Sequence, residues 1–497
     1  MLKESGIIDL KEISINRKLF IFGAGRIMRN TFKRFADAKL EKCISAIIDN
    51  NADLWNTHID INGTSMIIKS LDQVVQDIGD KPVAIAVFVK ESSDIEEQLR
   101  QSFIGRDAVL YSYPQCWCIN EQKWIEQYTN YPLEDRLLMQ GEGDNYENAS
   151  AIYDYIKCNN LLGRFKVVWL CDHPQNFVDT ENVTYLDRNI YNNASTAEEL
   201  RQYLELVYTS KYVFYENYNL FKFRKDQVSV YLKHGTFPLK NVKGVLWIPD
   251  DVDKIICTSE NYADHAAYME SCDREKLLIC GSPRLDYLYK DKHVLEKLKK
   301  YEEGINYFLW LPTMRQTALG RSDVIRQSPF GIPLINSEEE FEELDAFLDN
   351  QESKLIIKPH PHQDLSIYKI GKYKNILLIT NAELEEHDFT IHSLMREAVA
   401  LISDYSSIAF DYMLLDRPIA YTVDDIDEYK IGFSVDDPFH YMPGRKLANV
   451  KDMLDFVMAT NEGIDDHLEQ RHEIRDYIHH YQDGRNAERF MKMMGMI

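Results

Sequence analysis

Leu401–Asp411, LISDYSSIAFD, is the stretch from which the rest of this chain can be read. The apolar run Ala398–Ile402 predicts a buried strand. It stops at Ser403-Asp404, and Ser406-Ser407 then open a helical segment. A strand feeding a helix N-terminus through small hydroxyl residues builds an anion site. The first N–H groups of a helix have no intrahelical partner, and the macrodipole is positive there. The phosphate of a nucleotide-activated substrate suits such a site. Ser and Asp are also ordinary helix caps, so the weight of this stretch comes from companion motifs elsewhere.

Outward from it, short apolar runs alternate with amphipathic helical stretches along the whole chain, the pattern of an α/β protein. No internal repeat or low-complexity tract interrupts it. The 497 residues suit about three domains. Residues 1–130 read as an N-terminal Rossmann-like domain. Strand Lys18–Phe22 meets Gly23-Ala-Gly25, a helix is expected over Arg26–Leu40, and strand Ile44–Ile48 ends at Asp49. Gly23, Gly25 and Asp49 thus form a partial dinucleotide fingerprint, with Met28 where a third glycine would stand. Two readings stay open there: a tight turn, or a site for a dinucleotide or nucleotide-sugar. Residues 131–150 are polar and acidic and read as a linker or loose helix.

A second unit, 151–290, has expected strands Lys166–Cys171, Tyr212–Tyr215, Val228–Leu232, Lys254–Thr258 and Leu277–Cys280. A third, 291–497, opens with a charged helix, Asp291–Glu303. Its strands are expected at Tyr307–Leu311, Leu355–Lys358, Ile376–Ile379, Ala398–Ile402 and Ile419–Tyr421. Ser337-Glu-Glu-Glu340 is a capping box for a helix running to about Asp349. Asp465–Met494 reads as a charged helix packed across the surface. Two consecutive Rossmann-like units imply a cleft enzyme, because ligands of open α/β sheets bind outside the carboxyl ends of the strands.

A formal charge of −23 argues against nucleic-acid binding and against adhesion to anionic membranes through bulk charge. No run is long enough to span a membrane, the first residues have no apolar secretory core, and the eight cysteines form no CxxC pair. A cytoplasmic protein with reduced thiols is expected. Cys116-Trp-Cys118 reads as two buried thiols around a core Trp rather than as a redox or metal pair.

Three further segments sit where strands give way to loops. Lys233-His-Gly-Thr-Phe-Pro-Leu-Lys240 exposes His234 beside flexible backbone, which suits a general base. Gly281-Ser-Pro-Arg-Leu-Asp286 is a stiffened turn that aims Arg284, or a surface turn whose Arg284 pairs with Asp286. Lys358-Pro-His-Pro-His362 restricts the aim of Lys358 and His360. A metal at its HxH ranks below an imidazole on phosphate, because only Asp364 is near as a third ligand. Lys240, Arg284, Arg315 and Lys358 all lie near strand ends in an acidic chain, as a cleft for a phosphorylated ligand would require.

Taken together these segments resemble the CDP-glycerol glycerophosphotransferase family of teichoic-acid primases and polymerases. The resemblance rests on His234-Gly-Thr236 with Leu239-Lys240, Gly281–Asp286, Pro312-Thr-Met-Arg315, Lys358–Pro361, and Asp404–Ser407 with Phe410-Asp411, and covers roughly residues 160–450. It departs at Lys233, where the family commonly has Trp. The resemblance implies a GT-B pair of Rossmann-like domains, with residues 151–290 on the acceptor side and 291–497 holding a CDP-alditol donor. It also implies that His234 and His360 are functional. Arg284, Arg315, Lys358, Asp404, Ser406, Ser407 and Asp411 are then the candidates for holding the donor phosphates or orienting a histidine or the ribose. The expected reaction transfers an alditol phosphate to a hydroxyl of a glycan, polyol-phosphate or lipid-linked acceptor. It needs no metal or other cofactor, and membrane contact is peripheral at most. Rival readings are a nucleotide-sugar glycosyltransferase or epimerase, and a non-catalytic nucleotide-binding protein.

Overall fold

The computed structural model describes residues 13–497 except 35, 37–38, 90–92, 112–118, 141–146, 191–196, 217–219, 221, 245–247, 316–322, 326–327, 361–362, 364 and 366–371. Cys116, Cys118, Pro361, His362 and Asp364 therefore lie outside the described residues. The strands fall into three largely parallel sheets, and every strand expected from the sequence is present to within two residues at either end. The chain divides into two compact units. The first holds residues 1–138, 170–211 and 223–227, and the second holds 139–169, 212–222 and 228–497.

In the first unit, β1 (Lys18–Phe22), β2 (Ile44–Ile48), β3 (His58–Ile61), β4 (Thr64–Lys69), β5 (Val83–Val87) and β6 (Ala108–Tyr111) form a sheet in the order β3-β4-β2-β1-β5-β6. All neighbours are parallel except the edge pair β3–β4. The helix expected over Arg26–Leu40 is Arg26–Arg34, and a 3-10 turn occupies Leu40–Cys43 after Lys39 enters the left-handed region. Gly23 has φ 102°, and a Cβ there would stand 3.0 Å from a Val89 methyl and 3.3 Å from the Phe88 carbonyl oxygen. Gly23 thus serves a close approach of chain to chain. The Asp49 carboxylate accepts from the N–H groups of Ala24 at 2.8 Å and Asn51 at 2.9 Å. It ties the ends of β1 and β2 together. Gly25 has open space around its Cα.

The described part of the stretch read as a linker, 131–140 and 147–150, holds regular structure. It contains β7 (Glu134–Gln140) and the first residues of a helix, Asn148–Cys158. The polar composition concealed β7, whose last five residues are buried. β8 (Lys166–Cys171) and β9 (Val183–Asp187) follow.

In the second unit, β10 (Ser210–Tyr215), β11 (Val228–Tyr231), β12 (Lys254–Cys257) and β13 (Leu277–Ile279) are successive parallel neighbours. A further sheet contains β14 (Asn306–Trp310), β15 (Ser353–Ile357), β16 (Ile376–Leu378), β17 (Ala400–Ser403), β18 (Ile419–Thr422) and β19 (Arg445–Leu447), in the parallel order β16-β15-β14-β17-β18-β19. The run to Ile357 is buried on both faces, as parallel sheets require. The Ser337 capping box is formed, with the Ser337 hydroxyl accepting from Glu340 N–H at 3.3 Å. The helix expected over Asp291–Glu303 shrinks to Val294–Lys297, because His293 and Lys299 both adopt left-handed φ. The C-terminal stretch is two helices, Leu468–Ile478 and Asn486–Met493, each with a buried face rather than laid on the surface. One apolar cluster runs from Phe237 and Leu239 through Leu309 and Leu401 to Phe410 and Ile478, and it floors the carboxyl ends of β11, β14 and β17.

Candidate functional site

A cleft of about 640 Å³ opens in the second unit beyond these strand ends. His234, Arg284, Lys358, His360, Ser406 and Ser407 all line it. Gly235 and Ser407 touch directly: a Cβ on Gly235 would lie 3.2 Å from the Ser407 hydroxyl. The loop after β11 and the loop after β17 therefore meet at one point.

His234 follows β11 after a left-handed residue, Lys233, with φ 54°. The family resemblance places a Trp at position 233. Here the lysine is buried, and its ammonium pairs with Glu270 at 2.9 Å. The Asn148 side chain donates to the Leu232 carbonyl at 2.8 Å and the Lys233 carbonyl at 3.1 Å. Its own carbonyl accepts from the Ser282 hydroxyl at 2.7 Å and Arg284 N–H at 3.0 Å. One amide thus bolts the His234 loop to the Gly281–Asp286 turn. The His234 ring remains 60% exposed, with Nδ1 3.7 Å from a Glu147 oxygen.

Arg284 is buried, and its partner is not Asp286. Its guanidinium bonds Glu147 at 2.6 Å, Asp411 at 3.0 Å and the His234 carbonyl. Asp286 accepts instead from the N–H groups of Asn486 at 2.8 Å and Ala487 at 2.9 Å, and burial pushes its carboxyl up to about 6. Asp411 does not line the cleft. It accepts from Thr236 and bonds His392 Nε2 at 2.9 Å as well as Arg284. Burial would raise its carboxyl, but Arg284, His392 and Thr236 hold it well below the usual carboxylate range. The expectation that Asp411 orients a histidine is met by His392 rather than by His234 or His360.

Arg315 and Asp404, expected among the donor-holding residues, do not line the cleft. Both side chains are fully buried and pair with each other at 3.0 Å. Arg315 also bonds Asp425 at 2.9 Å, and Asp404 accepts from Thr313 N–H and hydroxyl at 2.8 Å each. Tyr405 donates to the same Asp425 at 2.9 Å. This network braces the loops after β14 and β17 from beneath, with the buried charges paired to one another.

Lys358, His360, Ser406, Ser407 and Lys240 line the cleft beside His234 and Arg284. The Lys358 ammonium donates to the Pro359 carbonyl at 3.4 Å, and burial pushes it down to about 8 against the pull of Glu385. Lys240 faces Asp323 at 3.7 Å. Ser407 precedes the short helix Ile408–Tyr412 without using its side chain as a cap, and Ser406 accepts from Ile408 N–H at 3.4 Å. That helix is only five residues long, so its dipole is short.

Sequence reading missed Glu147, Asn148, Glu216 and His392. The first two fell in the stretch taken for a linker, where an acidic residue followed by Asn before an apolar periodic run was a helix-start signal. Glu216 and His392 carry no local signal. Glu216 lines the cleft, and its carboxyl is raised well above the usual range by burial and then by Glu147.

Parallel strands whose carboxyl ends deliver imidazoles, cations and hydroxyls to one cleft form the arrangement of an α/β enzyme. The chain belongs to the CDP-glycerol:poly(glycerophosphate) glycerophosphotransferase family, which it matches over residues 137–494. The match begins within β7, upstream of the stretch 160–450 that carried the resemblance. The teichoic acid ribitol-phosphate primase of Bacillus spizizenii is 23% identical over 296 residues, covering 54% of this chain and 69% of that protein. The teichoic acid ribitol-phosphate polymerase TarK of Staphylococcus aureus is 22% identical over 357 residues, covering 67% of this chain and 66% of that one. The solved wall teichoic acid polymerase TagF shares the fold, with a TM-score of 0.58 and 17% identity over 76% of this chain and 93% of that chain. Among the described residues no helix is long and apolar enough to cross a membrane.

Proposed function

We propose that this chain transfers an alditol phosphate, glycerol phosphate foremost, from a CDP-alditol to an acceptor hydroxyl in the synthesis of a teichoic-acid-like or capsular polymer. The observation that carries this reading is the convergence of His234, Lys358, His360, Ser406 and Ser407 on one cleft, joined at the Gly235–Ser407 contact. Residues 151–290 would present the acceptor and 291–497 the donor, with the acceptor a glycan, polyol-phosphate or lipid-linked hydroxyl reached from the inner face of a membrane.

In this mechanism the acceptor oxygen attacks the β-phosphorus. The bond from that phosphorus to the bridging oxygen breaks, and CMP leaves with the electron pair. His234 takes the hydroxyl proton, and a positioned base of this kind contributes about 10²–10⁴ in rate. Lys358, His360 and the two serines hold the diphosphate, so that catalysis is chiefly positioning and charge stabilisation. Arg284 acts one layer back, fixing the His234 loop.

The test is to incubate the full chain with CDP-glycerol or CDP-ribitol and a panel of acceptors and to follow CMP by mass spectrometry. CMP release that falls at least about 100-fold in His234→Ala is expected. No release from any CDP-alditol, or full turnover by His234→Ala, overturns the reading. Ser406→Ala combined with Ser407→Ala weakens CDP-glycerol binding, and unchanged affinity would place the donor elsewhere.

A further inference from the structure

We infer that Glu147 is the positioning carboxylate of His234, set in place by Arg284. This rests on the proposed role of His234 as the base. Glu147 stands at the N-cap of the helix Asn148–Cys158, yet its side chain makes no cap hydrogen bond. The ordinary task of an acidic residue at that position is declined, and the carboxylate turns to the cleft. One oxygen bonds Arg284 Nη1 at 2.6 Å, and the other lies 3.7 Å from His234 Nδ1. Arg284 Nη1 also donates to the His234 carbonyl, and the next residue, Asn148, grips the Leu232 and Lys233 carbonyls. Base, carboxylate and guanidinium thus form a closed triangle whose corners are fixed to one another through backbone as well as side chains.

The chemistry follows from the two ring nitrogens. A carboxylate on the Nδ1 side keeps the proton there and leaves the Nε2 lone pair for the acceptor hydroxyl. When Nε2 takes that proton, the imidazolium is stabilised by the charge already in place. The 3.7 Å separation is longer than a hydrogen bond, and in this role it shortens to one when the acceptor binds. Burial alone would raise the Glu147 carboxyl, but Arg284 and then His234 hold it below its ordinary range, so the anion is available. The other ionisable groups coupled to this carboxylate are His392 and the buried Glu216.

Two readouts on the full-length protein test the assignment. The first is the pH profile of His234 carbethoxylation by diethyl pyrocarbonate, mapped by peptide mass spectrometry. The second is kcat and KM for CMP release from CDP-glycerol. Glu147→Gln keeps an amide oxygen for Arg284 but removes the charge. It is expected to move the midpoint of His234 modification down by about 0.5 pH unit or more. It is also expected to lower kcat at least about 10-fold with KM for CDP-glycerol little changed. Glu147→Asp restores most of both. An unmoved modification profile in Glu147→Gln, or a loss confined to KM, overturns the inference and leaves Glu147 as an anchor for Arg284 alone. If the unsubstituted protein releases no CMP from CDP-alditols, the functional reading fails, while the modification profile still decides whether Glu147 and His234 are paired.

Discussion

At Lys358 burial works against the charge that the cleft needs. Its ammonium is pushed down to about 8, with only Glu385 pulling the other way. A bound diphosphate would restore the charge, so proton and donor binding are linked. The folded, empty protein holds the proton below about pH 8 and loses it above. Affinity for CDP-glycerol is therefore expected to be greatest below that pH and to weaken as pH rises through it. Calorimetric titration across pH 6.5–9.5 checks this, and Lys358→Met should flatten the curve; an equally steep curve in the variant would assign the linkage to another group. Comparison with Arg284 and Arg315 shows how little residue type reveals alone. All three are cations near strand ends, yet Arg315 is sealed between Asp404 and Asp425, Arg284 reaches the cleft wall while tying Glu147 to Asp411, and Lys358 lines the cleft beside its own Pro359 carbonyl.

Among the elements, the helix Asn148–Cys158 does the most to build the site with its first residue. Asn148 satisfies two carbonyls on the His234 loop and accepts from two donors on the Gly281–Asp286 turn. Removing a buried partner leaves desolvated groups unpaired, each at about 1–3 kcal/mol. Asn148→Ala is expected to lower stability by about that amount in urea unfolding and to reduce turnover more than stability alone explains, because the His234 backbone loses its anchor. Retention of full stability would mean that the loops hold without the bolt. Strands and the Ser337 capping box were legible because each depends on neighbours close in sequence: apolar period, a breaker, a hydroxyl three residues before a glutamate. The same local logic failed at 131–150, where β7 opens on the charged run Glu134-Asp-Arg136, is flanked by polar residues and is recognisable only once its last five residues are buried.

Across the whole molecule, Asp411 welds segments that lie far apart in the chain. Thr236 is 175 residues from it and Arg284 is 127, and His392 approaches from a third direction. Its folded carboxyl is held below the unfolded value of about 3.9. The stability it contributes is therefore fully present above that value and is lost as pH falls below it. Asp411→Asn is expected to cost about 3–5 kcal/mol at pH 7, because Arg284 is left buried with one partner gone. The gap from the unsubstituted protein should narrow below about pH 4, as unfolding curves at the two pH values would show; a constant gap would assign the loss to packing. By itself the chain of residues determined the α/β alternation, the strand ends and the five motifs of its family, since these follow from short-range periodicity, turn chemistry and residue type. Only the tertiary structure decided which charges line the cleft and which brace the frame, and that Glu147 lines the cleft while Asn148 anchors the loops behind it. Burial and ion pairing are set by partners distant in sequence, and a charged side chain acquires its role only when those partners have closed around it.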